Sequence, residues 1–168
     1  MNAPFPKGRF WQQVLRRAAR ARVSGALQPI ESECRMISDR GVPFMIRTAR
    51  NLAAKAQVSG DGSDAGEGLN PFLPYDPDVF VCDVSASHVC LLNKFNVVDH
   101  HLLIVTRHFE PQENMLTFSD FEAVWTCLLE VDGLAFFNSG RDSGASQNHR
   151  HLQMVPLPMS EAPDPYPF

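Results

Sequence analysis

The stretch GASQNHRHLQ, residues 144–153, places two histidines and a glutamine at a spacing of two. Alternate side chains of an extended strand point to the same face. We therefore predict a strand on which His149, His151 and Gln153 form one polar row, called here the histidine row, with Arg150 turned the other way. Two imidazoles and an amide on one face are typical of a ligand set or a catalytic site.

Apolar runs and one helical pattern precede the histidine row. The runs that favour strands are 79–84, 89–95, 102–106 and 134–138. Between the last two, Ser119 and Glu122 have capping-box spacing, which predicts the start of a helix. Its predicted apolar face consists of Phe121, Val124, Trp125, Leu128 and Leu129. Hairpin-linked strands, a helix and further strands predict an α+β fold.

Composition divides the chain into three parts. Residues 57–68 hold four of the ten glycines and three acidic residues, which favours a flexible loop. Residues 1–56 before it are predicted to be a helical portion, and residues 69–168 after it the core that contains the histidine row. The apolar stripe of the first helix is predicted to consist of Trp11, Val14, Leu15 and Ala18.

The overall numbers exclude several classes of protein. No apolar run approaches the roughly 20 residues that cross a bilayer. The four cysteines form no CxxC pair and favour reduced core thiols. Six of the fifteen basic residues lie in residues 1–30, where we predict a solvated helix face rather than a nucleic-acid contact. No apolar signal core precedes them, so we expect a cytoplasmic protein without membrane or nucleic-acid partners.

The segment before the histidine row, NSGRDSGASQ, suits an anion. Gly140 and Gly144 allow backbone N–H groups to turn inward, and Ser146 and Gln147 add side-chain donors. An ordinary glycine-rich loop is the alternative. Donors beside a nucleophile are what phosphoryl chemistry requires, which favours phosphate binding here.

Three interpretations of the histidines compete. A zinc site needs further ligands, which His100 and His101 could supply, but nothing in the sequence fixes them near the row, and we predict no metal site. Two structural histidines would not explain three polar groups aimed one way. Covalent catalysis explains them, with His151 as the nucleophile and His149 and Gln153 beside it.

The chain resembles a known family over most of its length. FFNSGRDSGASQNHRHLQMVPLP is similar to the active-site region of the ATP adenylyltransferases, the diadenosine tetraphosphate phosphorylases of the histidine-triad-like superfamily. VSGAL, NPFLPYDPDVFV, HVCLLNKFNVVDHHLLIVTRHFEPQE and LTFSDFEAVW follow the family's order. The resemblance excludes the loop 57–68 and implies a histidine-triad-like antiparallel sheet with helices.

The resemblance also implies a reaction. Diadenosine tetraphosphate is attacked at one α-phosphorus, which releases ATP and leaves AMP on histidine, and inorganic phosphate then takes the AMP to give ADP. It implies no organic cofactor, and a divalent cation such as magnesium would accompany the nucleotide. The expected partners are dinucleoside polyphosphate, ATP, ADP and phosphate.

The family's motifs transfer to particular residues of this chain. In HxHxQ the second histidine is the nucleophile, which is His151, with His149 beside it, and Gln153 matches the glutamine that contacts the transferred phosphate. The resemblance implies substrate binding by a further set of residues, namely Lys55, Asn93, Lys94, Asn138, Gly144, Ala145, Ser146 and Gln147.

One departure from the family and two alternative functions remain. Relatives continue beyond the histidine strand with a segment that completes the substrate site, whereas this sequence stops at EAPDPYPF. We therefore expect slow turnover by the 168 residues alone, and self-association through the apolar edge that the missing segment would leave uncovered. The alternatives are a hexose-1-phosphate uridylyltransferase, which shares HxHxQ, and a truncated, inactive nucleotide-binding protein.

Overall fold

A computed structural model of the chain describes residues 6, 8–49 and 70–159. The predicted loop 57–68 and Lys55 lie outside these described residues. In chain order the elements are α1 (Arg9–Ser24), β1 (Ser32–Asp39), β2 (Val42–Ala49), β3 (Phe80–Asp83), β4 (His88–Leu92), β5 (Leu102–Thr106), α2 (Phe118–Leu128), β6 (Gly133–Phe136) and β7 (His151–Pro156).

The core of the fold is a five-stranded antiparallel sheet. Its strand order is β3-β4-β5-β7-β6, so the strand with the nucleophile candidate is flanked by β5 and β6. Val105 pairs with His151, and Leu103 pairs with Gln153. Each predicted apolar run contributes a strand of this sheet, and the α+β prediction is confirmed.

The N-terminal portion is only partly helical. Helix α1 buries Phe10, Val14, Ala18 and Ala21, so the apolar stripe is rotated from the predicted one, and Leu15 is 41% exposed. Strands β1 and β2 follow as a hairpin, where we had predicted a helical portion. Arg40 and Gly41 both have positive φ, the backbone of a tight two-residue hairpin turn.

Helix α2 begins two residues earlier than predicted. Its N-cap is Thr117, whose backbone N–H and hydroxyl both donate to the carboxylate of Asp120, at 2.6 and 2.8 Å. Ser119 and Glu122 are therefore not the capping pair. The buried side of α2 contains Ala123, Val124 and Cys127. Of the predicted apolar face, Val124 is buried and Leu128 is partly buried, whereas Phe121, Trp125 and Leu129 are exposed.

The thiols of the core are unpaired. All four cysteines are free, and Cys82, Cys90 and Cys127 are buried, as predicted for core thiols. Burial raises the pKa of the Cys90 and Cys127 thiols, which keeps them protonated. Over the described part of the chain, neither helix combines the length and apolarity that crossing a membrane requires.

Candidate active site

The ring of His149 is hydrogen-bonded at both nitrogens. Its Nε2 lies 2.8 Å from the carbonyl oxygen of Thr106 and 2.9 Å from that residue's hydroxyl. Because a carbonyl oxygen can only accept, Nε2 carries the proton. Its Nδ1 then accepts from the amide of Asn70 at 2.6 Å. A ring engaged at both nitrogens has no free lone pair to offer a substrate.

The ring of His151 is held at one nitrogen. Its Nδ1 lies 2.8 Å from the carbonyl oxygen of His149, so Nδ1 donates and carries the ring proton. The lone pair of the neutral ring is therefore on Nε2. Burial lowers the pKa of His151, with the bond to His149 opposing that shift. Near neutral pH the ring is uncharged, which is the state of an imidazole that can attack phosphorus.

His149 and His151 lie on the same side, next to Phe72, although His149 precedes strand β7, which begins at His151. The Phe72 ring contacts both imidazoles, with centroids 5.6 Å from His149 and 5.5 Å from His151. Burial lowers the pKa of His149 as well. Gln112 holds the backbone of His151 through two bonds, accepting from its N–H at 2.8 Å and donating to its carbonyl at 3.1 Å. The nucleophile candidate is thus fixed at ring and backbone.

His101 lies close to the histidine row, a position that its place in the sequence does not predict. Burial lowers its pKa to about 4, opposed by the nearby Gln153 side chain, with a smaller lowering from His151. Its Nδ1 lies 3.3 Å from the side-chain amide of Asn93. The neighbouring His100 packs instead against the Trp11 ring at 5.3 Å. His101 therefore connects the predicted binding residue Asn93 to the histidine row.

The glycine-rich segment folds back on itself before the row. Gly140 (φ 132°) and Gly144 (φ 90°) adopt backbone angles that residues with a side chain rarely adopt. The N–H of Gly144 donates to Arg141 at 2.9 Å, and the N–H of Ala145 donates to Gly140 at 2.9 Å. Those two predicted donors are engaged within the loop, so an anion would rely on the groups of Ser146 and Gln147.

The remaining predicted binding residues have different local contacts. A Cβ on Gly144 would lie 3.6 Å from the side-chain nitrogen of Asn138, so Asn138 adjoins the loop. Gln112 donates to the carbonyl of Asn138 at 2.7 Å and is also hydrogen-bonded to the backbone of His151. Its side chain therefore connects the glycine-rich segment to the histidine row. The ammonium of Lys94 lies 5.6 Å from the centre of the Phe95 ring. The prediction for Lys55 falls outside the described residues.

Three residues that support the row were not predicted. They are Asn70, Thr106 and Gln112. Asn70 opens the NPF turn, and Gln112 lies in a loop, so each is distant from the row in sequence, and only the tertiary fold brings its amide to a histidine. Within the described ranges, no group of three or more His, Cys, Asp or Glu side chains is arranged to hold a metal ion.

The arrangement suits nucleophilic attack on an electrophile with anionic oxygens. A neutral imidazole offers its Nε2 lone pair, and the bond from Nδ1–H to the His149 carbonyl stabilises the positive charge that the ring gains when Nε2 forms a bond. The side chains of Gln153 and Asn93 are both close to the ring of His101. Amide N–H groups stabilise developing negative charge on oxygen.

Comparisons with known proteins identify a family and similar proteins. The family model described as Ap4A phosphorylase N-terminal domain matches residues 1–168. Diadenosine 5',5'''-P1,P4-tetraphosphate phosphorylase 2 of Saccharomyces cerevisiae is 29% identical over 163 residues, covering 88% of this chain and 50% of that protein. Protein APA1 of the same yeast is 30% identical over 146 residues, covering 80% of this chain and 45% of that protein.

Solved structures are similar over nearly the whole chain. The crystal structure of yeast Ap4A phosphorylase Apa2 in complex with Ap4A superposes with a TM-score of 0.79 at 26% identity, covering 95% of this chain and 55% of that one. The complex of Apa2 with AMP gives a TM-score of 0.78 at 27% identity, covering 95% and 52%. The chain therefore spans about half the length of the relatives it matches.

Proposed function

The chain belongs to the Ap4A phosphorylase N-terminal domain family, and on that premise we propose that it cleaves diadenosine tetraphosphate with phosphate to ADP and ATP, and catalyses the reverse. The observation that carries the proposal is the bond from His151 Nδ1 to the His149 carbonyl at 2.8 Å, because it leaves a neutral Nε2 lone pair. The Ap4A and AMP complexes of the yeast relative support the choice of an adenylyl substrate.

In the first step, His151 Nε2 attacks the α-phosphorus of one adenylyl group. A nitrogen–phosphorus bond forms, the bond from that phosphorus to the bridging oxygen breaks, and ATP leaves with the electron pair. The ring becomes a cation, and its Nδ1–H remains on the His149 carbonyl. His149 does not react, since Asn70 and Thr106 occupy both of its nitrogens. Its role is to hold that carbonyl in place.

In the second step, an oxygen of inorganic phosphate attacks the AMP phosphorus. The nitrogen–phosphorus bond breaks, the electron pair returns to Nε2 of His151, and ADP is released. In the reverse direction ADP adenylylates the histidine and releases phosphate, and ATP then takes the AMP. Covalent catalysis of this kind divides one difficult transfer into two easier ones.

The other predicted residues have proposed roles in the two steps. Gln153 donates to an oxygen of the transferred phosphate, and Ser146 and Gln147 donate to the neighbouring phosphates. The remaining set of proposed substrate contacts is Lys55, Asn93, Lys94, Asn138, Gly144 and Ala145. For Asn93 and Gln153 the supporting observation is that His101 lies against both amides.

The proposal extends to partners and location. The described residues do not form a metal site of their own, so magnesium or a similar divalent cation would be held chiefly by the nucleotide's phosphate oxygens.

Two copies of the chain would associate through the exposed side of α2, where Phe121, Trp125 and Leu129 are each more than half exposed. The proposed location is the cytoplasm, with no nucleic-acid or membrane partner. Sedimentation of Trp125→Lys tests the association, since an unchanged mass distribution would contradict it.

Exchange of phosphate with ADP tests the function at its covalent step. The wild-type chain is incubated with ADP and labelled inorganic phosphate, and label entering ADP is measured together with acid-labile adenylyl groups on His151. This half-reaction needs one adenylyl site and one phosphate site, not the whole dinucleotide. Formation of ATP and ADP from diadenosine tetraphosphate and phosphate is followed in parallel.

Label in ADP and adenylylated His151, both lost in His151→Asn, are the expected results. Binding of AMP without exchange would instead identify an inactive nucleotide-binding protein. Exchange with UDP in preference to ADP would favour a uridylyltransferase. Each of these two outcomes would overturn the proposal.

A further inference from the structure

A buried charged cluster lies behind the histidine row. Arg150, between the two histidines in sequence, is 2% exposed, and its Nη1 lies 2.6 Å from the carboxylate of Glu110 and 3.1 Å from that of Asp120. Its Nη2 donates to the carbonyl of Met115 at 3.2 Å. The other carboxylate oxygen of Asp120 lies 3.0 Å from Nε2 of His88. We call these four residues, Arg150, Glu110, Asp120 and His88, the charged cluster.

Stability alone does not account for the charged cluster. Removing two charges from water costs about as much as their attraction returns, so buried ion pairs contribute little relative to apolar side chains of the same volume. Nε of Arg150 is buried and has no hydrogen-bond partner among the described residues, which adds to the cost. Burial alone would raise the pKa of Asp120, but the bonds from Thr117 and His88 and the charge of Arg150 keep it below its ordinary value.

The backbone of the cluster connects it to the nucleophile. The N–H of Arg150 donates to the carbonyl of Glu110 at 2.7 Å. That N–H and the carbonyl of His149 belong to one rigid, planar peptide group and point in opposite directions when the peptide is trans. The same His149 carbonyl accepts from His151 Nδ1 at 2.8 Å. Glu110 therefore determines where that carbonyl points.

Glu110 is held to Arg150 twice. Its carbonyl accepts from the Arg150 backbone, and its carboxylate pairs with the Arg150 guanidinium. Asp120 at the start of α2 anchors that guanidinium from the other side. The chain of contacts runs from α2 through Arg150 and Glu110 to the His149 peptide, and from there to the His151 ring.

We propose that Arg150 and Glu110 are positioning residues that keep the ring proton of His151 on Nδ1. A neutral imidazole can carry its proton on either nitrogen, and only the Nδ1–H form leaves Nε2 able to attack. Tilting the His149 peptide weakens the bond that selects this form. The proposal rests on the function proposed above for its consequence in catalysis, but the protonation pattern of the ring is measurable without any nucleotide.

Nitrogen-15 NMR of the histidine rings tests the proposal directly. Two-bond proton–nitrogen correlations show which ring nitrogen is protonated, and His151→Asn assigns the His151 signals by their loss. The test variants are Glu110→Ala and Arg150→Met. The controls are Glu113→Ala, an exposed glutamate of the same loop, and Arg107→Met, whose arginine pairs with Asp83 outside the cluster. Arg150→Lys asks whether charge without the forked guanidinium suffices.

In the wild type and both controls we expect His151 to be protonated at Nδ1 alone. In Glu110→Ala and Arg150→Met we expect averaged ring signals from a mixture of the two forms, with partial recovery in Arg150→Lys. In the ADP–phosphate exchange assay the two variants should lose about tenfold to hundredfold in kcat, typical of groups that orient an imidazole. Their KM for ADP should stay within about twofold, since no substrate contact is removed.

Folded test variants that retain protonation at Nδ1 alone overturn the proposal. Near-ultraviolet circular dichroism establishes folding, and if Arg150→Met does not fold, Glu110→Ala decides, because its carboxylate is half-exposed and its loss is tolerated more easily. A wild type protonated at Nε2 would contradict the proposed function itself. A wild type protonated at Nδ1 with unchanged variants would contradict only the positioning role.

Discussion

The two sides of the segment that carries His151 treat polar groups in opposite ways. On the front, the rings of His149 and His151 bond to carbonyls, a hydroxyl and an amide, and burial lowers the pKa of both. On the back, Arg150 is enclosed by the carboxylates of Glu110 and Asp120. Burial keeps the front imidazoles neutral against the opposing effect of their carbonyl partners, whereas ionised partners surround Arg150 on the back.

Extended backbone can place a reactive side chain on one face and the side chain that holds it in position on the other. Strand alternation sends successive side chains to opposite faces, so a nucleophile and the group that braces it can be neighbours in sequence. The front must remain able to change charge during a reaction, which neutral hydrogen-bond partners permit. The back need not change, so full charges can be used there.

The largest expected effect comes from removing the reactive group of the front. His151→Asn should lower adenylyl transfer by about 10⁴-fold or more, because the covalent route disappears with its nucleophile. The exchange assay measures the rate, and circular dichroism measures the fold, which should be unchanged.

His108→Asn is the matched control for that variant, since His108 is an exposed histidine of the loop after β5. Its exchange rate should equal that of the wild type. Near-normal exchange by His151→Asn would show that His151 is not the nucleophile, and the two sides would then not differ in catalytic role.

A smaller effect is expected from the donors that flank the nucleophile. Gln153→Ala should reduce kcat by ~10²–10³-fold, the usual loss for one donor to charge that develops in the transition state. Ser146→Ala tests the loop in the same way. If either change raised only the KM, the residue would bind ground state and transition state alike, and its proposed role would be wrong.

Much of this comparison could be predicted from the sequence. The spacing of HRHLQ predicted the row and placed Arg150 on the opposite face, because alternation depends on backbone geometry alone. The four apolar runs predicted the other four strands of the central sheet. The chemistry of the front followed from residue type, since imidazole is the side chain that is neutral and nucleophilic near neutral pH.

The partners of the row could not be predicted in the same way. Asn70, His101 and Gln112 reach it through strand order and loop paths, which involve contacts distant in sequence. The capping pair of α2 was misplaced for a related reason, because Asp120 is drawn to Thr117, His88 and Arg150 at once. The sequence of residues 1–56 predicts a helical portion, whereas its second half contains the hairpin β1–β2. That hairpin depends on the tight turn at Arg40 and Gly41.

The third prediction concerns the groups that hold the His149 ring. Asn70→Ala and Thr106→Val each remove a bond to a ring nitrogen while leaving the His151 side chain in place. Each should lower kcat by about tenfold to hundredfold, less than Gln153→Ala, since an orienting contact is lost rather than a contact to the reacting group. In Thr106→Val the backbone carbonyl still accepts from Nε2, so this variant should lose less than Asn70→Ala. Equal, full activity of both would show that the His149 ring needs no fixed tautomer.

The smallest expected effect is on stability and comes from His101, whose pKa burial lowers from 6.5 to about 4. Between these values the unfolded chain binds a proton that the folded chain excludes, so the free energy of unfolding falls as the pH falls through 6.5 and the loss ends below about 4. From about pH 7 to 5 this amounts to about 2 kcal/mol. His101→Gln removes the titrating ring, so its urea-unfolding free energy should fall less over that range. Burial lowers the pKa of His149 and His151 as well, so in His101→Gln the unfolding free energy should still fall with pH, but less steeply. Identical slopes for His101→Gln and wild type would mean that His101 is not held neutral beside Gln153.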